Sequence, residues 1–202
     1  MEAAGEGKVT EVQGLIGCAG VDINHATSGG WTGLWRASFK GHLQIVKLLL
    51  STPGIYINKA RTTDGSTPLH AASYYGHADV VKELLAHPQI DVNKAMTTGA
   101  TPVFMASQDG HADVVKLLLA DPRVDPNTRK TNWKDTALII AAYKERTSVV
   151  KLLLRCPKVD TTYKDKEGNT AYDKAYKKGN ADIYNAIWYR HTLLQEESHT
   201  CN

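Results

Sequence analysis

The amino-acid sequence predicts an all-α repeat solenoid, built from short helix pairs that stack beside one another. Two spacings in the sequence predict this fold. A glycine recurs every 34 or 35 residues, with Glu145 in one of its positions: Gly7, Gly41, Gly76, Gly110 and Gly179. A threonine recurs at the same interval: Thr32, Thr67, Thr101, Thr136 and Thr170. A helix pair of this size cannot bury its own apolar face, so each copy supplies part of its neighbour's core.

One unit, residues 64–85, shows why each element is expected. Thr67 can cap the first helix, since its hydroxyl can accept a hydrogen bond from a free backbone N–H. Pro68 suits the first helical position, where no amide donor is needed. Gly76 can end that helix in the left-handed conformation, and Ala78 begins a second helix. The second helix has a wide apolar stripe, typical of a helix packed between neighbours: Val80, Val81, Leu84 and Leu85.

The same unit resembles an ankyrin repeat. The resemblance is carried by Thr67-Pro68-Leu69-His70, then Gly76-His77, and then a turn at Asp91-Val92-Asn93. It covers roughly residues 3–190 and implies a helix–turn–helix stack with short β-hairpin fingers. The fingers and the links between repeats gain residues relative to the family period of about 33, and we expect these insertions to loop outward.

The markers divide the chain into one repeat domain, residues 1–190, and a short tail. Within the domain, residues 1–29 form an N-terminal capping repeat, 30–64, 65–98, 99–133 and 134–167 form full repeats, and 168–190 form a C-terminal capping repeat. Residues 191–202 are expected to extend the last helix or to fray.

Two departures from the repeat pattern carry expectations. His70 is replaced in the other units, so their contacts between repeats must differ: Trp35, Phe104, Ile139 and Asp173. Glu145 takes the position of a glycine, where a left-handed residue of another type costs about 1 kcal/mol. We expect the turn at residues 144–146 to differ from the turn at 75–77, or to be strained.

Composition and charge exclude several classes of protein. The 202 residues carry a net charge of +3, too small to indicate nucleic-acid binding by itself. The acidic N-terminus lacks the features of a signal peptide, and no apolar run approaches the ~18 residues of a membrane span. The three cysteines, Cys18, Cys156 and Cys201, are too few and too far apart for a disulfide framework. We therefore expect a monomeric protein of the cytoplasm, with the nucleus as the alternative location.

No constellation of catalytic or metal-binding residues stands out. His42, His77 and His111 follow the marker glycines one per unit, and none has a second ligand at the spacing of a metal site. We interpret these histidines as structural. The sequence also lacks the common nucleophile and metallohydrolase motifs. We expect no enzymatic activity, no metal and no cofactor.

Candidate binding residues are found where the repeats differ from one another. The family resemblance implies that the concave side, formed by the finger tips and the exposed residues of each first helix, recognises a partner. Aromatic and arginine residues are common at such surfaces because they bring a large contact area at modest entropic cost. The candidates are Trp31, Phe39, Lys40, Arg61, Tyr74, Tyr75, Met96, Gln108, Asp109, Lys130, Trp133, Tyr143 and Lys144.

These candidates predict a non-catalytic interaction module or scaffold whose partner is another protein. We expect the aromatic members to form a continuous, partly exposed surface; the competing interpretation is that several pack against neighbouring fingers. The alternative function is binding of a single-stranded nucleic acid or nucleotide, in which aromatic rings stack on bases and lysines meet phosphates. Salt separates the two functions, because a nucleic-acid complex weakens steeply with ionic strength.

Overall fold

The computed structural model describes residues 1–18 and 20–200, with side chains as far as Thr192. This part of the chain folds into twelve helices in two compact units, Met1–Pro102 and Val103–Asn202. The helical repeat architecture confirms the predicted fold class. No helix within the described residues is long and apolar enough to cross a membrane.

Short helices in consecutive pairs make up both units. The first unit contains α1 (Glu2–Gly5), α2 (Val9–Ile16), α3 (Gly33–Lys40), α4 (Leu43–Leu50), α5 (Pro68–Tyr75) and α6 (Ala78–Ala86). The second contains α7 (Pro102–Asp109), α8 (Ala112–Ala120), α9 (Ala137–Tyr143), α10 (Thr147–Arg155), α11 (Ala171–Lys178) and α12 (Ala181–Thr200). The predicted tail is thus helical through Thr200, and residues 201 and 202 lie outside the described residues.

The cores are built from the apolar stripes of these helices. In the first unit α3 packs against α1 and α5, while α4 packs against α2 and α6. In the second, α11 packs against α9 and α12, and α10 contacts α8, α9 and α12. Leu84 on α6 and Leu118 on α8 are fully buried, as the repeat register requires.

Threonines begin the first helix of the pairs as predicted. The hydroxyls of Thr32, Thr67, Thr136 and Thr170 each accept a hydrogen bond from the backbone N–H three residues later. At Thr67 the cap is reciprocal, because its backbone N–H donates to Nδ1 of His70 at 3.2 Å. The Nε2–H of this buried histidine therefore donates to the carbonyl of Ala100, 3.1 Å away. Trp35, in the equivalent position, donates through Nε1 to Oγ of Ser66 at 3.3 Å.

Left-handed residues end the first helices, and this includes Glu145. Gly41 and Gly76 have φ values of +74° and +75°, and Glu145 keeps the same conformation at +58°. The turn is thus shaped like its glycine counterparts. The expected strain arises because the Cβ atom of Glu145 disfavours left-handed backbone angles. Lys134 is a second such residue, with φ +57° in a finger position where Gly65 has +74°. This second left-handed residue was not predicted from the sequence.

In three places the side chain after the turn fastens a repeat to the one before it. His42 contacts the carbonyl of Gly5 at 3.2 Å, His77 contacts that of Phe39 at 3.0 Å, and Arg146 donates to that of Gln108 at 3.1 Å. We call these three contacts the inter-repeat clamps. They account for His42 and His77 as structural groups, since a ring nitrogen of each meets a backbone carbonyl left free at a helix end.

Asparagines form a second set of fastenings, on the turn that follows each helix pair. The amide nitrogen of Asn58 donates to the carbonyl of Gln89 at 2.7 Å, and its oxygen accepts from the backbone N–H of Asp91 at 2.9 Å. Asn24 and Asn127 make the same two bonds to the following turn in their own units. Because both halves of the amide are used, each asparagine fixes the next turn in register.

The fingers are less regular than the expected β-hairpins. Each one closes with a backbone hydrogen bond, such as Arg61 N–H to the Ser66 carbonyl at 2.9 Å or Lys130 N–H to the Asp135 carbonyl at 2.9 Å. Within the described residues only an isolated bridge, Ala26 with Thr32, has β character. A finger of eight or nine residues spends most of its length on the tight turn, which leaves too few residues for a ladder.

Candidate functional site

The first unit carries a connected row of aromatic rings. Trp31 lies 5.2 Å from Trp35, Trp35 lies 5.3 Å from Phe39, and Phe39 lies 4.5 Å from Tyr75 (all between ring centroids). Tyr74 joins the row through Tyr75, at 4.8 Å. We call these five residues the aromatic row. Four of them are predicted site residues, and the structure brings those four together.

The row is formed by the periodicity of α3 and α5. Trp35 and Phe39 are four residues apart, so they share one face of α3. Trp31 precedes the helix cap, and Tyr74 and Tyr75 occupy the last turn of α5. Trp35 is the buried member of the row, and it is not among the predicted site residues; its position four residues before Phe39 was the available signal. It is only 4% exposed, whereas Tyr75 is 46% exposed and the other three are half-buried.

Cationic side chains lie over the faces of these rings. The guanidinium of Arg61 lies 5.3 Å from the Trp31 ring and 4.7 Å from the Trp35 ring. Its ion pair with Asp64 holds it there. Burial acts to raise the pKa of Asp64, but hydrogen bonds from Arg61 and from the Ser66 backbone outweigh it and the pKa is lowered. Lys40 lies 5.2 Å from the Phe39 ring and is exposed. The row therefore combines aromatic area with positive charge.

The second unit carries a cavity of about 570 Å³ with two aromatic walls. Trp133, in a finger, is 55% exposed, and Tyr143, at the end of α9, is 43% exposed. The predicted residue Lys130 also lines this cavity. The structure therefore brings Lys130 and Trp133, from the predicted repeat 99–133, together with Tyr143, from the predicted repeat 134–167, around one space that the sequence did not reveal. We call this space the lysine cavity.

Lysines surround the Tyr143 ring. The ammonium groups of Lys144, Lys174 and Lys178 lie 5.8, 5.7 and 4.9 Å from its centroid. Lys174 is the member that sequence reasoning overlooked, although it lies on α11 one turn before Lys177 and Lys178. That position, four residues after Thr170, lies on the same face of α11 as Lys177 and Lys178.

Carboxylates at the base of the lysine cavity are unequally satisfied. Asp165 is buried and pairs with Lys174 at 2.6 Å, while the exposed Glu167 pairs with the same lysine at 3.1 Å. Asp135 is half-buried and takes part in no ion pair of the described chain. Burial raises the pKa of Asp135, and the nearby charge of Asp165 adds to that effect.

Three predicted residues stand apart from both features. Met96 is a half-buried finger residue whose backbone closes its own turn with Ala100. Gln108 and Asp109 are half-buried and hydrogen-bonded to each other, Nε2 to Oδ2 at 3.3 Å. These side chains form neither the aromatic row nor the lining of the lysine cavity.

The aromatic row and the lysine cavity hold no metal-binding cluster, since no group of three His, Cys, Asp or Glu side chains in the described residues could hold a metal ion. Their resources are aromatic area, fixed cations and a concave volume, which are the resources of a binding surface.

Comparisons with known proteins agree with this architecture. A family model described as "Ankyrin repeats (3 copies)" matches residues 1–96, 54–130 and 103–192. The crystal structure of EF0377, an ankyrin repeat protein, matches with a TM-score of 0.84 at 29% sequence identity, covering 92% of this chain and 94% of that one. No curated protein matches the chain. Since the family model spans nearly the whole sequence, the chain belongs to the ankyrin repeat family.

Proposed function

We propose that this protein is a non-catalytic interaction module that binds another protein through its aromatic row and its finger tips. Ankyrin repeats generally serve in protein–protein interactions. The observation that carries the proposal is the aromatic row itself. The core of this unit is closed by other side chains, chiefly aliphatic, so the unit has no structural need for Tyr75 to stand 46% exposed beside Phe39.

The chemistry of the row suits protein recognition. Large rigid rings offer contact area with few rotatable bonds, so little side-chain entropy is lost on binding. Arg61 is already fixed by Asp64, and Phe39 by its contacts with Trp35 and Tyr75. A surface that is ordered before binding keeps more of its contact energy as affinity.

The test begins with a partner protein captured by this protein. The affinity of that partner is then measured for the wild type and for two variants. Tyr74→Ala combined with Tyr75→Ala should weaken that complex by at least about 2 kcal/mol, the scale of an interface hot spot. Tyr56→Ala is the matched control, because Tyr56 is an exposed tyrosine of the same unit outside the row. The control should bind as the wild type does.

Two further measurements decide what the result means. The thermal midpoint of the double variant should change little, because Tyr74 and Tyr75 are not core residues. Unchanged binding with a large loss of stability would contradict the proposal. A captured partner that is itself a nucleic acid, with an affinity that falls steeply with added salt, would contradict the proposal.

We further propose a monomer that acts in the cytoplasm. An exposed free thiol at Cys18 and a half-buried one at Cys156 suit a reducing compartment. Light scattering would test the first part, and a fluorescent fusion the second.

A further inference from the structure

We propose that the lysine cavity of the second unit binds an acidic peptide segment of the partner, with an apolar side chain between Trp133 and Tyr143 and carboxylates at the surrounding lysines. This inference rests on the proposed function and adds to it the chemical class of the ligand and a second place of contact.

The first argument is an excess of unpaired positive charge. Lys130, Lys177 and Lys178 line the cavity, yet none of them takes part in an ion pair within the described part of the chain. Lys177 donates to a neutral acceptor, the amide oxygen of Asn169, at 2.6 Å. Three ammonium groups at one concavity raise the local concentration of anions, because the low-dielectric walls concentrate the field.

The second argument is that the carboxylates of the cavity are occupied. Asp165 has a side chain only 4% exposed, pairs with Lys174, and accepts from the backbone N–H groups of Glu167 and Asn169, both at 2.8 Å. Glu167 is held by Lys174 and by the amide of Asn169. Asp135 is the carboxylate without an ion pair, and Lys174 offsets only one of its two partners. Two negative charges therefore oppose the three unpaired lysines, and the lining keeps a net charge of +1.

The third argument concerns the aromatic walls. A cationic ligand would ordinarily seek the face of a ring such as Tyr143. Here Lys178 and Lys174 already lie against that ring, so an incoming cation would meet like charge. An apolar side chain can still reach the exposed parts of Trp133 and Tyr143. A volume of about 570 Å³ is of the size that holds a few side chains.

The convergent arrangement of the lysines favours a peptide over a nucleic acid. Single-stranded nucleic acids bind along grooves in which cations follow the backbone over several nucleotides. The unpaired lysines here converge on one cavity, which suits two or three carboxylates grouped beside a single apolar anchor.

The experiment uses the full chain and three synthetic peptides of equal length, each with one central phenylalanine. One is rich in Asp and Glu, one in Lys and one in Ser. Binding is measured by calorimetry at low salt, and its location by the fluorescence of Trp133 against a Trp133→Phe control. The acidic peptide should bind with a dissociation constant of about 1 mM or tighter, and the other two at least about tenfold more weakly.

Variants of opposite sign make the test sharp. Lys130→Gln and Lys178→Gln should each weaken binding of the acidic peptide by about threefold to tenfold. Asp135→Asn should strengthen it, because it removes the one unpaired negative charge and leaves the backbone bond from Lys130 to residue 135 in place. Lys116→Gln, on an exposed position of α8 outside the cavity, is the matched control and should have no effect.

Several results would overturn the inference. One is that the acidic peptide shows no saturable binding at about 1 mM; another is that the basic peptide, the neutral peptide or an oligothymidylate of equal charge binds more tightly than the acidic peptide. A third is that Asp135→Asn binds the acidic peptide more weakly than the wild type does. If the basic peptide binds and the Trp133 signal reports it, the inference fails while the interaction function stands. If the acidic peptide binds but Tyr74 and Tyr75 prove irrelevant to any captured partner, the role of the aromatic row fails and the cavity stands.

Discussion

Glu145→Gly combined with Asn180→His, which adds a new inter-repeat clamp, should give a more stable protein than the sum of the two separate effects predicts. Glu145 has φ +58°, a conformation that costs a non-glycine residue about 1–2 kcal/mol. Glycine removes that cost but adds about 0.5–1 kcal/mol of freedom to the unfolded chain. The hydrogen bond from the amide of Asn180 to Glu145, 3.5 Å and exposed, contributes little. Glu145→Gly alone should therefore stabilise by about 1 kcal/mol or less.

The second change is Asn180→His, which places an inter-repeat clamp where the array lacks one. A Cβ added to Gly41 would lie 2.6 Å from Nδ1 of His77, closer than any real contact. A histidine at position 180 should collide in the same way with the Cβ of Glu145, and it also loses the hydrogen bond that Asn180 Oδ1 accepts from the Ile183 N–H at 3.2 Å. This variant alone should therefore destabilise by about 1–3 kcal/mol. With glycine at 145, the ring can reach the carbonyl of Tyr143 and contribute about 0.5–1.5 kcal/mol.

The free energy of unfolding is measured in urea, by circular dichroism, for the wild type, Glu145→Gly, Asn180→His and the double variant. The four values give the coupling between the two substitutions. We expect a favourable coupling free energy of at least about 1 kcal/mol, since the two side chains compete for one space. Additive effects, or a stabilising Asn180→His variant in the presence of Glu145, would show that the clamps do not need the glycine.

Three further variants test the packing, the buried histidine and the asparagine fastenings. Leu118→Ala should cost about 2–5 kcal/mol in urea unfolding, because the side chain is fully buried, and a loss below about 1 kcal/mol would contradict that. Burial lowers the pKa of His70 from 6.5 to about 4, so the unfolded chain binds this proton first. The contribution of His70 to the free energy of unfolding should be complete above about pH 6.5 and should fall by up to about 3 kcal/mol as the pH drops to about 4. His70→Gln should flatten this part of the stability curve, and an unchanged slope would refute the assignment. Asn58→Ala should cost about 1–3 kcal/mol and Asn58→Asp less, because the aspartate keeps the acceptor for Asp91; equal losses would exclude the role of the acceptor.

The sequence was sufficient for the helices because their ends are chemically marked. Thr67 and Gly76 each satisfy a local need, a hydrogen-bond acceptor at one end and a left-handed residue at the other, so they predict boundaries without tertiary information. Glu145 was recognised as strained for the same reason. Lys134 escaped notice because the finger varies in length, which hides the position that corresponds to Gly65.

Contacts between repeats were harder to predict than the repeats themselves. Asn58 was visible only as part of a turn, since its two bonds reach residues more than thirty positions away. The lysine cavity depends on the ion pair between Lys174, on α11, and Asp165, in the finger that precedes that helix. Aromatic residues such as Tyr75 could be singled out by type and position, but their mutual stacking could not, because ring geometry depends on rotamers that the sequence does not specify.

The asparagine fastenings and the threonine caps leave only one part of the repeat free to change length. The step from Thr32 to Asn58, from Thr67 to Asn93 and from Thr101 to Asn127 is 26 residues in every case. The step from each asparagine to the next threonine is eight or nine. Natural variation or a randomised library can therefore lengthen a finger without shifting the frame that holds the helices. The binding surface can therefore change between related sequences while the threonine and asparagine hydrogen bonds that position the helices stay the same.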